Sequence, residues 1–364
     1  MWNNTRATKL LRIKYPIIQG PFGGGFSSAG LTATVSNCGG MGSFGLNAYN
    51  AEEILKINKD IKAVTDQPYA LNLWVPLQND PIEQYTSQAF ERLRDAVRPY
   101  FDELGLDVPE YPEYEENTFE DQIEAILQAK PPVMSFIFGI PSKEIIHELK
   151  QNKTTIIITA TTPEEALQAE AAGADLVVAS GAAAGGHRAS FLNPGVRESL
   201  LDTATLVEET LKNIKIPIIA AGGLSDGDAI YKVMKLGASA VQLGTAFLAT
   251  DESNATDVHK RKLLSEERLK TTLTKIYSGR LARAVANDFT EGLKHLEDDI
   301  IAPYPVQGKF LAPLRQAAIA RQKWEYVAFW AGEPSSVLVH TSAEKLFHSL
   351  TERLAYLNSK DMAD

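Results

Sequence analysis

The chain of 364 residues contains a single cysteine, Cys38. One thiol cannot form an intrachain disulfide, and a structural cysteine-rich metal site is excluded as well. Basic residues are also scarce, because 36 lysines and arginines stand against 46 acidic residues, which gives a formal net charge of −10. Phosphate neutralisation needs a basic surface, so this balance argues against a general nucleic-acid partner.

Long apolar runs are missing too. No run approaches the roughly 20 apolar residues that a membrane helix needs, so no membrane partner is expected. The first residues, Met1-Trp-Asn-Asn-Thr-Arg, lack the apolar core of a signal peptide. We therefore expect a cytoplasmic protein. Its 44% hydrophobic and 23% charged residues describe an ordinary globular composition.

Eight short apolar stretches alternate with helical patterns. We predict strands at 16–19, 40–43, 69–73, 133–138, 155–159, 176–179, 216–221 and 240–243. This alternation predicts parallel strands joined by crossover helices, and continuous apolar runs are typical of strands buried on both faces. An open doubly wound sheet uses the same loops, but the count of eight favours an α/β fold of the (β/α)8 TIM-barrel type.

Two stretches do not follow this alternation. Residues 76–118 contain an acidic segment rich in tyrosine and proline, and residues 251–300 are charged and helical in pattern. We interpret them as a small, mainly helical second lobe over the C-terminal face of the barrel. Residues 1–75, 119–250 and 301–364 then form the barrel with its C-terminal helices.

Small residues follow three of the predicted strands. After the sixth, the chain continues Ser180-Gly-Ala-Ala-Ala-Gly-Gly-His187. Gly222 and Gly223 follow the seventh strand, and Gly244 and Thr245 follow the eighth. A phosphate is commonly held at this edge of a barrel, where backbone N–H groups bind an anion without a lysine. The alternative is that these glycines only make tight turns.

The absence of two motifs narrows the possible identity of the phosphate-bearing ligand. Neither a dinucleotide Gly-x-Gly-x-x-Gly after the first strand nor a nucleotide P-loop occurs. A monophosphate at a barrel edge suits FMN or a sugar phosphate. The loop that begins Gly20-Pro21-Phe22 favours a flat ring, and Asn72 can form a hydrogen bond with it.

One histidine of six stands apart. His187 follows two glycines at a strand end, where side chains project into the catalytic edge of a barrel. We expect it to be catalytic, and a structural hydrogen-bonding role is the alternative. The other histidines, including His259, lie in helical or solvated settings. No acidic or histidine cluster has metal-ligand spacing, so no metal is expected.

An ordered set of motifs resembles the FMN-dependent nitronate monooxygenases. It comprises Tyr15-Pro-Ile-Ile-Gln-Gly-Pro, Asn72-Leu-Trp, Gly185-Gly-His-Arg-x-x-Phe, Ala220-Ala-Gly-Gly-Leu-Ser-Asp-Gly, Val241-Gln-Leu-Gly-Thr-Ala-Phe-Leu, Ser278-Gly-Arg, Tyr304-Pro and Trp330-Ala-Gly. The set extends over nearly the whole chain. The resemblance implies a flavin enzyme that oxidises alkyl nitronates with O₂ to carbonyl compounds and nitrite.

The same resemblance implies roles for particular residues. His187 would be the active-site base, since an imidazole can take the α-proton of a nitroalkane or, when protonated, attract a nitronate anion. Phe22, Tyr304 and Trp330 would form the substrate pocket. The cofactor-binding residues would be Gly20, Pro21, Phe22, Asn72, Ser180, Gly185, Gly222, Gly223, Gln242, Leu243, Gly244 and Thr245. The expected partners are a nitronate and O₂, and a homodimer is left open.

Four positions depart from the family pattern. Ser180 replaces a glutamine that contacts flavin, Ala183 a glutamate, Ala189 a glycine, and Phe22 a common methionine. These changes affect the shape of the pocket rather than the phosphate site. Two alternatives therefore stay open: an FMN-dependent enoyl reductase that uses NAD(P)H, and a non-catalytic flavin-binding protein.

Overall fold

The computed structural model describes residues 1–77, 84–113, 118–192, 200–265, 269–296 and 298–361. The strands in chain order are β1 Ile17–Gln19, β2 Gly42–Gly45, β3 Tyr69–Trp74, β4 Val133–Ile137, β5 Thr155–Ala160, β6 Leu176–Ser180, β7 Gly186–His187, β8 Ile218–Ala221, β9 Ala240–Leu243, β10 Thr271–Thr274 and β11 Ala282–Val285. The helices are α1 Arg6–Leu11, α2 Ala29–Asn37, α3 Ala51–Val64, α4 Ser87–Glu103, α5 Phe119–Ala129, α6 Lys143–Gln151, α7 Pro163–Ala172, α8 Thr203–Asn213, α9 Gly227–Leu236, α10 Thr245–Leu248, α11 Asp257–Leu263, α12 Asp288–Gly292, α13 Val306–Phe310, α14 Ala312–Ala320 and α15 Ala343–Asp361.

Eight of these strands form one parallel sheet in the order β1-β9-β8-β6-β5-β4-β3-β2. The two ends of this order meet just before β2, where Met41 forms a parallel bridge with Ile18. Met41 N donates to Ile17 O at 3.1 Å, and Met41 O accepts from Gln19 N at 2.9 Å. The sheet is therefore closed, and the predicted (β/α)8 barrel is confirmed.

The strand limits differ slightly from those predicted. β8 begins at Ile218 rather than at residue 216, because Pro217 has no N–H to donate to a neighbouring strand. α7 has clear local signals at both ends: the Thr162 side chain accepts from Glu165 N, and Gly173 ends the helix at φ 101°. That left-handed conformation is readily available only to glycine.

The interior of the barrel is filled from strands around its whole circumference. Ile18, Ile157 and Ile219 belong to one buried cluster, which also contains Ala7 and Leu11 of α1. α1 thus closes one end of the barrel, and the other end is left for a site. In the described ranges, no helix is long and apolar enough to cross a membrane.

A second, three-stranded sheet adds antiparallel structure that the sequence pattern did not predict. β10 pairs with β11, and β11 pairs with β7, so that Ala282 lies opposite His187. Only helices were expected between 251 and 300; β10 is short and polar, and β7, which pairs with the other edge of β11, lies far away in the chain. The division into barrel and lobe stays a prediction, and residues 78–83, 114–117, 266–268 and 297 of the two inserted segments lie outside the described residues.

We predict that Gly42→Ala destabilises the fold. A Cβ at this position would lie 2.0 Å from Thr32 O of α2, so the helix and β2 must separate at a cost of about 1–3 kcal/mol or more. Gly30→Ala, in α2 itself, is the matched control because the nearest atom would be 3.7 Å away. Urea unfolding should show a lower midpoint for Gly42→Ala alone, and equal midpoints would contradict this packing.

Candidate active site

The carboxyl ends of the barrel strands open into a cavity of about 980 Å³, at the upper end of the size that ligand sites usually have. Its wall contains these predicted residues: Gly20, Pro21, Phe22, Asn72, Ser180, Gly185, His187, Gly222, Gly223, Gln242, Gly244, Thr245, Tyr304 and Trp330. Leu243 differs, because its side chain is 1% exposed and packs in the core. It does not line the cavity, and its carbonyl oxygen accepts from Gly20 N, a residue that does, at 2.8 Å.

The turn after β8 has a backbone that only glycine adopts readily. Gly222 and Gly223 have φ values of 110° and 75°, both in the left-handed region. Space is also limiting, since a Cβ on Gly222 would lie 3.0 Å from Ala184 N and one on Gly223 would lie 3.1 Å from the Cβ of Ala183. This geometry is required whether the two glycines only make a tight turn or also hold a phosphate.

The loop after β6 is pressed against a segment near the end of the chain. A Cβ on Gly185 would lie 2.3 Å from Gly332 N, and one on Gly332 would lie 2.6 Å from Ala183 O. Gly332 N donates to Thr245 Oγ1 at 2.9 Å, and Glu333 N donates to Ala183 O at 2.9 Å. Three distant parts of the chain thus meet at one wall of the cavity.

A buried arginine braces the same wall. Arg283 of β11 is 8% exposed, and its Nη1 lies 2.5 Å from Glu333 Oε1. Its Nε donates to Ala182 O at 3.1 Å. The guanidinium therefore connects the loop after β6 with the segment that carries Gly332. These contacts also supply the partners that a buried charge needs.

The chain beyond His187 is fixed by a second buried charge. Glu165 of α7 is 0% exposed and accepts from Thr161 N at 2.7 Å, Ser190 Oγ at 3.0 Å and Phe191 N at 2.6 Å. Arg188 Nη1 donates to Ser180 O at 2.8 Å. Both ends of the loop that carries His187 are therefore held by hydrogen bonds.

Two amides shape the opposite wall. Asn72 Nδ2 donates to Ser135 Oγ at 2.9 Å, which fixes the orientation of this side chain between β3 and β4. Gln19 accepts from Ser43 N at 2.9 Å through Oε1 and donates to Gly20 O through Nε2. Gly20 in turn leaves room for Gln242, whose Cγ would be 3.4 Å from a Cβ at residue 20.

His187 lies in an aromatic setting. Its ring centroid is 5.1 Å from that of Trp74 and 5.3 Å from that of Trp330, and its Nε2 is 2.8 Å from Ser278 Oγ. Burial and, secondarily, the positive charge of Arg280 lower the pKa of His187 from 6.5 to about 3. The imidazole is therefore neutral near pH 7, so a protonated imidazole that attracts an anion is not its resting form.

Sequence reasoning missed one histidine of the cavity. His259 was expected in a helical or solvated setting. It does lie in α11, but it is not solvated: it is 2% exposed, lines the cavity, and its Nε2 lies 3.0 Å from Trp330 O. Burial lowers the pKa of this imidazole. The spacing of His259 and Leu263, both buried in α11, is the signal that could have indicated an inward face.

The sequence motifs that contain Ser278 and Trp74 indicate no particular role for either residue. The structure places both in contact with His187. No local signal connects Ser278 with an imidazole 91 residues away. Among the residues that the structure describes, no group of three histidine, cysteine or acidic side chains could hold a metal ion.

Fold and cavity define a barrel protein with its site at the carboxyl ends of the strands. A family model described as nitronate monooxygenase matches residues 4–353, and the chain belongs to this family of oxidoreductases. A probable nitronate monooxygenase of Staphylococcus haemolyticus (strain JCSC1435) is 38% identical over 358 residues, which cover 98% of this chain and 99% of that protein. The resemblance inferred from the motifs is thereby confirmed.

Two solved structures extend the comparison. Nitroalkane oxidase from Streptomyces ansochromogenes is similar with a TM-score of 0.86 and 32% identity, over 97% of this chain and 99% of that one. FabK from Thermotoga maritima is similar with a TM-score of 0.76 and 25% identity, over 99% of both chains. These likenesses span the whole fold rather than the barrel alone.

We predict that the imidazole of His187 does not titrate between about pH 8 and about pH 5, because its pKa lies near 3. The ring Cε1–H signal in NMR spectra, assigned by its loss in His187→Gln, should keep its chemical shift over this range. Free histidine in the same buffer provides the titrating reference. A shift of the His187 signal that follows the reference would contradict a neutral imidazole.

Proposed function

We propose that this protein binds FMN and oxidises alkyl nitronates with O₂ to a carbonyl compound and nitrite. The observation that carries the proposal is the placement of the neutral His187 and the glycine-rich ends of β8 and β9 in one cavity. Membership of the nitronate monooxygenase family supports the substrate class. The expected partners are the nitronate and O₂.

The wall of the cavity is suited to an anionic cofactor. Its one carboxylate among the described residues, Glu333, is ion-paired with Arg283. This pairing reduces the repulsion between the carboxylate and a bound phosphate. Gly222, Gly223 and Gly244 offer closely approachable backbone at the predicted phosphate position, and Thr245 adds a hydroxyl. These four residues would hold the phosphate of FMN.

The remaining predicted residues would surround the flavin ring. Gly20, Pro21 and Phe22 line the cavity after β1, with Asn72 and Gln242 beside them. Ser180 lines it at the end of β6, and Gly185 follows in the adjoining loop. Leu243 contributes its backbone. When bound, FMN supplies the electron transfer to O₂, while the protein positions the substrate and excludes water.

His187 would act on the substrate as a neutral imidazole. A neutral ring can accept a proton from the α-carbon of a nitroalkane, and a nitronate that is already an anion needs no such step. If Nε2 carries the proton, it donates to Ser278 Oγ, and Nδ1 remains the acceptor. Trp74 and Trp330 keep this ring in an apolar environment, and Phe22, Tyr304 and Trp330 would form the substrate pocket.

We predict that Gly223→Ala weakens FMN binding about tenfold or more, because a Cβ there would enter the space next to Ala183 Cβ and Glu333 O. The control is Gly105→Ala, which has a similarly left-handed φ of 58° and no atom within 4 Å of the added Cβ. Quenching of FMN fluorescence during titration of the apoprotein gives both affinities. Equal losses in the two variants would argue against a phosphate at Gly223.

We predict O₂ uptake and nitrite release when the FMN-loaded protein receives ethyl nitronate. His187→Asn should retain FMN but lose about 100-fold or more of its turnover of neutral nitroethane, while turnover of preformed nitronate falls much less. Unchanged nitroethane turnover would refute the assignment of His187 as base.

Anaerobic mixing with NADH distinguishes the alternatives. Rapid bleaching of the flavin without oxidation of a nitronate would favour the enoyl reductase. A protein that binds FMN and is silent in both assays would favour the non-catalytic flavin-binding alternative.

A further inference from the structure

Part of the cavity wall comes from α13, α14 and the residues that follow them, and this part is here called the outer limb. It includes Gly308, Leu311, Leu314, Ile319, Trp324 and Val327. A Cβ on Gly308 would lie 3.7 Å from Tyr277 O and 4.0 Å from the Cα of Ser278. Because Ser278 contacts His187, the outer limb begins close to the imidazole.

The walls of the outer limb are largely apolar. Leu311, Leu314 and Val327 are 5%, 1% and 8% exposed, so they form a sheltered surface, whereas Ile319 is 45% exposed. An exposed isoleucine in the lining of a cavity marks an apolar opening to solvent. The lining positions 308, 311, 315 and 319 repeat at helical spacing, which places them along one side of α13 and α14.

Two cations stand at the same opening. Lys309 and Arg315 line the cavity and are both exposed. Within the described part of the chain, neither has an ion-pair partner at 4.0 Å or less. Unpaired cations beside an apolar channel are notable in a protein with a net charge of −10, because most of its surface repels anions.

We propose that the outer limb binds a medium-chain amphipathic anion. The aliphatic chain would lie along Leu311, Leu314 and Ile319, and a carboxylate or phosphate monoester head group would meet Lys309 and Arg315. Apolar burial and charge complementarity then act on the two ends of one ligand. This site is separate from the predicted FMN phosphate position and does not depend on the oxidation of nitronates.

Isothermal titration of the full-length protein as purified, below the micelle concentration of each ligand, tests the site. The probes are decanoate, decyl phosphate, decanol and decyltrimethylammonium. We expect one anion per chain, bound about tenfold or more tightly than decanol, with no saturable binding of the cation. Tighter binding of decanoate would assign a carboxylate head group, and tighter binding of decyl phosphate a phosphate monoester.

Variants locate the binding. Lys309→Gln with Arg315→Gln should weaken the anion about tenfold, whereas Lys345→Gln, an exposed lysine on α15, should not. Ile319→Asp should abolish binding, and Leu167→Asp, at a comparable 49% exposure, should leave it unchanged; thermal melting verifies that all variants fold. Equal binding of decanol and the anions, no saturation, or unchanged affinity in the double variant would overturn the proposal.

Discussion

The cavity depends on one backbone contact, between Gly185 after β6 and Gly332 near the end of the chain. A Cβ on either residue would overlap backbone atoms of the other segment. On Gly185 it would lie 2.3 Å from Gly332 N. Thr245 joins the same contact by accepting from Gly332 N. Close approach of bare backbone is what glycine uniquely permits. It brings the loop of His187, the end of β9 and the segment of Trp330 into one wall.

Buried, hydrogen-bonded charges hold this wall in place, and apolar surroundings determine the protonation state of His187. Arg283 with Glu333 and Glu165 with its backbone donors hold both sides of the His187 loop. The imidazole itself has no carboxylate at hydrogen-bond distance among the described residues; its recorded partner is Ser278 Oγ. Burial therefore determines its protonation state. Charge serves here to position the loop, and the ring of His187 stays neutral.

Local signals were sufficient for the barrel and for much of the cavity wall. Alternating strands and helices indicate a parallel sheet, and the glycines at 222, 223 and 244 are visible because turn chemistry is local. The pairing of β7 with β11, the ion pair of Arg283 with Glu333, and the contact of Ser278 with His187 join residues 50 to about 100 positions apart. Such contacts follow from the closed fold, which no short pattern encodes. Leu243 shows that a motif position alone does not predict a side-chain contact. The motif placed Leu243 among the cofactor-binding residues, but its side chain is buried in the core.

We propose above all that the glycine-rich ends of β8 and β9 hold the phosphate of FMN. The most direct measurement is the visible absorption spectrum of the purified protein, with the released cofactor identified by mass. We expect a yellow protein with flavin bands and FMN in a one-to-one ratio with the chain. A colourless protein that does not take up added FMN, or one that releases a sugar phosphate instead, would contradict it.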